Sequence, residues 1–286
     1  MGSKKARERE YARRRYAKQV ARMTKAQRRH RRNQMVALIA VAAVVVGGIT
    51  AGLLSLRGGN DKATVADTPA AGLPCNRPVP ATTGLPTAAP DPAAAEGRTW
   101  TGTIDLCQDG IYGAPIAGTL QVELDGAAAP HAVANFVQLA QAGFYDGLTC
   151  HRLATSISAL QCGDPNGDGS GGPGYSFGPV ENAPTGDLCS SQPDPTDATA
   201  EVTMCTYTAG TIAMARVADD GSSMGSQFFV VYADTTIPSD TAGGYTVLGH
   251  VTSGLDVVQQ IAAMGTLTAN SQTPASTVTI QKVETQ

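Results

Sequence analysis

Hydrophobic and polar positions divide this 286-residue chain into stretches of different pattern. Residues 35–56 read MVALIAVAAVVVGGITAGLLSL, with no ionisable side chain and no polar face. At 1.5 Å rise per residue such a helix is ~33 Å long, enough to cross a hydrocarbon core of ~30 Å. The pattern predicts one transmembrane helix. A cleaved secretory leader has an apolar run of about 7–15 residues and a small-residue cleavage site. This run is longer and leads into Leu-Ser-Leu-Arg-Gly-Gly, so a retained signal anchor is the expectation. Residues 57–94, dominated by Ala, Pro, Thr, Gly and Asp, carry almost no large apolar side chains. They cannot bury enough surface to offset ordering entropy and are expected to form a linker.

Short periods begin near Arg98. Ile116, Leu120, Val122 and Leu124 stand at even spacing, as a half-buried strand requires. Residues 130–143 read as a helix: Pro130 suits the first turn, Val133, Phe136, Val137 and Ala140 share a face, and Gly143 fits the exit. Further strands are expected at 148–153, 159–162, 210–216, 227–232, 245–251 and 277–283. A second helix is expected at 255–264, with Leu255, Val258, Ile261 and Ala262 on one side. Many short strands and two helices predict a mainly β domain, an antiparallel barrel or sandwich, over residues 95–286. That length suffices for one core.

Charge sharpens the topology. Residues 1–34 hold fourteen Lys/Arg against Glu8 and Glu10, whereas the rest holds seven Lys/Arg against twenty-two Asp/Glu. A basic block before an apolar span predicts a cytoplasmic N-terminus and an extracytoplasmic body at the cell membrane. Clustered Lys/Arg could neutralise nucleic-acid phosphates, but beside a membrane span they read as a topology signal in contact with anionic lipid. No nucleic-acid partner is expected. The six cysteines (Cys75, Cys107, Cys150, Cys162, Cys189, Cys205) all follow the span, which suggests disulfides. Fifteen full pairings are open; proximity favours Cys189–Cys205 and Cys150–Cys162, leaving Cys75–Cys107.

Three local motifs invite other chemistry. Residues 221–225 match G-x-S-x-G, with Asp234 or Asp240 and then His250 downstream, but a strand pattern follows where a nucleophile elbow needs a helix. Asp164-x-Asn166-x-Asp168-Gly169 copies half of a calcium loop, yet its twelfth position is Tyr175. Cys150, His151 and Cys162 lack zinc-ligand spacing. No metal or cofactor is expected.

A fourth pattern spans the body. It runs Ala-Pro-His-Ala-Val-Ala-Asn-Phe (129–136), Gly-Phe-Tyr-Asp-Gly (143–147), Cys-His-Arg-Leu (150–153) and Leu-Gln-Cys-Gly-Asp-Pro (160–165). Then come the glycine-rich 169–175, Ala-Gly-Thr-Ile-Ala-Met-Ala-Arg (209–216), Gly-Ser-Gln-Phe-Phe (225–229) and Tyr-Thr-Val-Leu-Gly (245–249). In this order the blocks resemble the cyclophilin family, its bacterial branch in particular, over about residues 101–286.

The resemblance implies a closed eight-stranded antiparallel barrel capped by two α-helices, and peptidyl-prolyl cis–trans isomerase activity without cofactor; from the expected extracytoplasmic location, its substrates would be exported or membrane proteins. It implies that Arg152 is the catalytic donor and that Gln227 bonds the peptide backbone beside the proline. Gln161 would orient the arginine or bond substrate, and Phe229 would floor an apolar proline pocket. Ala215 and Arg216 would line the groove, and Gly169 fits a loop that approaches substrate. Ile237 and Tyr245 stand where many eukaryotic members have Trp and His. Ser158 and Ala159 replace a bulky apolar pair, so that wall is thinned unless an offset of one brings in Ile157. The alternative is a non-catalytic proline-peptide-binding module or holdase of the same fold. Residues 182–207 exceed the usual connection and suggest a disulfide-closed loop near the groove.

Overall fold

The computed structural model describes residues 75–110, 114–193 and 201–286. The expected basic tail, membrane span and first part of the linker lie outside these residues. Among the described residues no helix is long and apolar enough to cross a membrane. In chain order the elements are β1 (Thr99–Gln108), β2 (Ile116–Asp125), α1 (Pro130–Gln141), β3 (Arg152–Ala154), β4 (Ala159–Cys162), β5 (Cys189–Pro193) and β6 (Glu201–Tyr207). Then follow β7 (Thr211–Met214), β8 (Phe228–Val231), β9 (Thr235–Ser239), β10 (Val247–Ser253), α2 (Leu255–Ala263) and β11 (Val278–Thr285).

Eight strands pair in the order β11-β1-β2-β10-β7-β8-β4-β3, and β5-β6-β9 make a separate three-stranded sheet. The expected closed barrel is therefore corrected to an open one. The would-be seam is bridged by Thr149 opposite Thr279 and by hydrogen bonds from Cys150 N to Val278 O (2.9 Å) and Ile280 N to Leu148 O (2.8 Å). The physical reason lies at β3, which is only three residues long. The free edge of this strand meets a loop instead of a strand: Leu153 N donates to Gln272 O (2.5 Å).

Alternation along the strands sorts side chains into two apolar clusters. Leu160, Ile212, Met214, Phe228 and Val230 face the main core, where the Phe228 ring meets Phe136 of α1 edge-on at 5.4 Å and Tyr145 at 5.6 Å. Burying each such side chain stabilises the fold by about 1.5–3 kcal/mol. Ala159, Ala213, Phe229 and Val231 face the other way, onto Cys205, Tyr207 and Ile237 of the small sheet. The small sheet thus backs the second cluster, which carries the site described below.

Two long-range devices fix the ends of these elements. Ala129 offers no side-chain cap to α1, so Glu181 supplies one from fifty residues away, accepting from His131 N (3.3 Å) and Ala132 N (3.2 Å). The free amides and dipole of a helix start favour such an anion. Residues 75–94, read from composition as the end of the linker, lie against the body. Cys75 is buried and bonded to Cys107, and its N–H donates to Asp109 (2.7 Å). A Cβ on Gly147 would sit 2.0 Å from Pro78 O, so only glycine lets this strap pass. The other disulfides are Cys150–Cys162 and Cys189–Cys205, the pairings proximity favours.

Candidate active site

Strand register assembles the site. β3–β4 pairing sets Arg152 opposite Gln161, β4–β8 sets Gln161 opposite Phe229, and β7–β8 sets Phe229 opposite Ala213. Directly opposed residues of antiparallel strands project to one face. One rung therefore carries a cation, an amide, an aromatic ring and a small residue side by side. Gln227, two residues before Phe229, lies next along the same face.

Hydrogen bonds lock the polar end of this rung. Arg152 Nη1 donates to Gln161 Oε1 (2.9 Å), and Gln161 Nε2 donates to Gln227 Oε1 (2.8 Å). Gln227 Nε2 in turn donates to Gly169 O (3.0 Å) and Gly171 O (2.8 Å). The arginine Nε donates to Gln272 Oε1 (2.6 Å). Each amide satisfies one neighbour and passes orientation to the next.

Beside this chain lies a cavity of about 240 Å³, with Phe229, Ile157, Ala159 and Tyr245 as its apolar walls and Arg152 and Gln161 at its polar side. Ser158 turns through a left-handed conformation (φ 47°), its carbonyl accepting from Tyr232 N (2.8 Å). That turn brings both flanking residues, Ile157 and Ala159, to the cavity. Phe229 and Tyr245 meet edge-on at 5.4 Å, and Tyr245 N donates to Tyr207 Oη (2.7 Å). An adjoining groove of about 480 Å³ shares Gln161, Gly169, Ala215 and Arg216 and continues along the glycine-rich loop. A third depression, about 510 Å³, is lined by Glu123, Asp125 and His250 and shares no lining residue with the cavity or the groove.

Electrostatics distinguish the two arginines. Arg216 has a side chain only 1% exposed and is held by both oxygens of Asp240 (2.7 and 2.8 Å) and by Gly243 O and Gly244 O. Its guanidinium carbon lies 4.9 Å from the centre of the Tyr245 ring. The hydrogen bond from Arg216 holds the Asp240 carboxyl down at about 2, against the opposing effect of burial. Arg216 thus lines the cavity as a neutralised brace. His151, half-buried at the cavity, has its pKa lowered by desolvation. Asp168 also lines the cavity, its pKa lowered by hydrogen bonds from the Ser170 side chain and backbone.

Arg152, Gln161, Gly169, Ala215, Arg216, Phe229 and Tyr245 all line the cavity, and Gln227 lines the adjoining groove. Ile237 does not line either; it is buried opposite Cys205, in the cluster around Phe229. The 164–169 motif is a loop clamp: Asp164, 1% exposed, accepts from Asn166 N (2.8 Å), Asp168 N (3.1 Å) and Gly169 N. A Cβ on Gly171 would lie 2.1 Å from Asp164 Oδ1. Ser223 of the G-x-S-x-G match donates to Asp220 O (2.7 Å) and accepts from Val217 N (2.8 Å), while His250 faces Glu123. Cys150 and Cys162 bond each other. Gln272 escapes the sequence reading, as do the roles of Asp240 beside Arg216 and of Asn135 beneath the groove. Asn135 is fully buried on α1, donates to Gly225 O (2.8 Å) and accepts from Tyr175 Oη (2.8 Å), tying the helix to the groove. Its place in the 129–136 block, on the side of α1 away from Val133 and Phe136, is the one signal that could have found it.

Residues 109–285 match the family model described as cyclophilin type peptidyl-prolyl cis-trans isomerase/CLD. The chain belongs to this family. Among curated relatives, a probable peptidyl-prolyl cis-trans isomerase B of Mycobacterium tuberculosis is 39% identical over 170 residues, covering 58% of this chain and 51% of that protein. Peptidyl-prolyl cis-trans isomerase B of Bacillus subtilis is 38% identical over 144 residues, covering 50% of this chain and 82% of that protein. This chain spans about half the length of the mycobacterial relatives it matches. Among solved structures, a cyclophilin-type isomerase of Cryptosporidium parvum aligns with TM-score 0.48 at 22% identity, over 65% of this chain and 98% of that one. The cyclophilin-type match begins after β1, so the strap and the first strand precede it.

Proposed function

We propose that the domain catalyses cis–trans rotation about X-Pro bonds of polypeptides. One observation carries the reading: the way the domain treats its cations. Residues 75–286 contain five Lys/Arg against twenty Asp/Glu. Arg77, Arg98, Arg216 and Lys282 each face a carboxylate. Arg152 is held instead by two neutral amide oxygens, from Gln161 and Gln272. Its position is fixed with no carboxylate among the described residues in ion-pair contact, at the polar side of the cavity, whose lining also includes Asp168.

That arrangement suits prolyl isomerisation. Rotation must break amide resonance at ~18–20 kcal/mol, and no bond has to form or break. With the prolyl ring against Phe229 and Tyr245, a donor of Arg152 can reach the prolyl nitrogen as twisting makes it pyramidal. The nitrogen accepts only when its lone pair is released, so the contact strengthens in the transition state. An arginine stays protonated throughout and its fork is preorganised. Gln227 would bond the peptide backbone, and the adjoining groove would take the residues before proline.

We further propose that residues 35–56 anchor the domain, with residues 1–34 on the cytoplasmic side and Pro-containing segments of exported or membrane proteins as substrates. The test is a proline-isomerisation assay on the full chain in detergent micelles. Arg152→Ala should lower kcat/KM by about 100-fold or more, as losing a preorganised donor does elsewhere. A folded wild type that accelerates nothing would leave the non-catalytic binding module as the reading. Alkaline carbonate washing should leave the chain in the membrane pellet, and its release would refute the anchor.

A further inference from the structure

The interactions that hold Arg152 come from two sides, and only one belongs to the rung of strands. Gln161 approaches Nη1 from the paired strand β4, whereas Gln272 approaches Nε from the loop between α2 and β11. Gln272 makes a second contact with the same strand, its carbonyl accepting from Leu153 N (2.5 Å). The loop that carries it is braced by its own hydrogen bonds: Leu267 N to Thr273 O, Ala275 N to Gly265 O (both 2.9 Å), and Thr273 N to Ser271 Oγ (2.9 Å). Gln272 therefore takes the place of a neighbouring strand at the open edge of β3, fixing backbone and side chain of consecutive residues.

We infer that Gln272 is a positioning residue for isomerisation: it aims the Arg152 guanidinium at the cavity without neutralising it. An arginine side chain has three further torsions beyond χ1, and the single bond to Gln161 at Nη1 leaves rotation about that contact. A second acceptor at Nε, on the other side of the guanidinium plane's axis, removes it. With Nε and Nη1 occupied, the Nη2 edge is left to substrate. A carboxylate at position 272 would hold the group equally well, but it would cancel the charge that acts on the prolyl nitrogen. An amide is the acceptor that does the first without the second.

This inference rests on the isomerase reading, and the experiment separates the two. The full chain in detergent micelles is compared with Gln272→Met, which keeps side-chain length and loses the acceptor, and with Gln272→Glu, which keeps an acceptor and adds a charge. The readouts are kcat and KM for a proline peptide, and the ¹⁵N–¹H signal of Arg152 Nε with its exchange rate. Gln272→Met should lower kcat five- to twenty-fold with KM within twofold, and Nε–H should exchange faster. Gln272→Glu should keep the slow Nε–H exchange yet also lose kcat at least threefold. Wild-type kcat in Gln272→Met overturns positioning, and wild-type kcat in Gln272→Glu overturns the role of the unpaired charge. Unchanged Nε–H exchange in Gln272→Met overturns the inference whether or not the wild type turns over. An inactive wild type with the expected exchange change sinks the isomerase reading alone.

Discussion

Asp240→Asn removes one partner of the best-buried ion pair among the described residues. The Arg216 side chain is 1% exposed and the Asp240 side chain 26%, so the cation would lose most of its compensation while remaining out of water. Two routes give the cost. The Asp240 carboxyl is held at about 2 against an ordinary 3.8, which by linkage contributes about 2 kcal/mol to stability at neutral pH. Removing one member of a buried pair costs ~3–5 kcal/mol, with the low end fitting a partly exposed partner and the two glycine carbonyls that still hold Arg216. The expected loss at pH 7 is therefore about 2–3 kcal/mol, or a Tm lower by roughly 5–10 °C for a domain of this size. The pH dependence supplies an internal control. A depressed carboxyl contributes fully above its unfolded value, and the contribution is lost as pH falls through the folded one. The gap between wild type and variant should thus stay constant from pH 7 to about 5, then close progressively between about pH 4 and 2. Urea unfolding across this range measures it. Equal stability at pH 7 would refute the buried-pair argument, and a gap that persists unchanged to pH 2 would refute the linkage to Asp240.

The strap and the helix cap make two further claims on stability. Replacing Cys75 and Cys107 together by Ser opens a loop of sequence separation 32 and should cost about 3–4 kcal/mol by chain entropy, read by urea unfolding without reductant. A cost below about 1 kcal/mol would mean that the packing of residues 75–94 alone holds the strap. Glu181→Ala leaves the first amides of α1 without their anion and should cost about 1–2 kcal/mol, with amide exchange faster at His131 and Ala132 than at the middle of the helix. Uniform exchange along α1 would contradict the cap.

How much of this was legible follows from how far apart the deciding residues lie. Patterns that repeat within ten residues read well: Leu120, Val122 and Leu124 are buried as their spacing requires, and α1 and α2 fall within a residue or two of their predicted ends. β1 had the same signal in Trp100, Ile104 and Leu106, alternating with Thr101, Thr103 and Asp105, but Gly102 interrupted its apolar series. The small sheet was harder. β5, β6 and β9 are mostly polar and gain their burial only where Cys205, Tyr207 and Ile237 meet the back of Phe229. The expectation of closure failed for a related reason. Whether an edge strand of three residues finds another strand or a loop is decided by residues 264–277, whose sequence has no periodicity to show it.

The site divides along the same line. Residues on adjacent strands came through as motifs, because register forces Arg152, Gln161 and Phe229 onto one face wherever their segments pair. The residues that tune them did not. Gln272 is 120 residues from Arg152, and Asp240 is 24 from Arg216, and neither stands in a segment with a pattern of its own. Their choice obeys a rule that only the folded arrangement displays. The arginine that braces the cavity wall is matched with a carboxylate, which neutralises it and lets it be buried. The arginine at the cavity's polar side is matched with amides, which leave its charge available. In a domain with a fourfold excess of acidic over basic residues, a cation without a carboxylate is the state that requires construction. Here the construction is two glutamines from separate elements, and exchanging either amide for an acid would turn the second arrangement into the first.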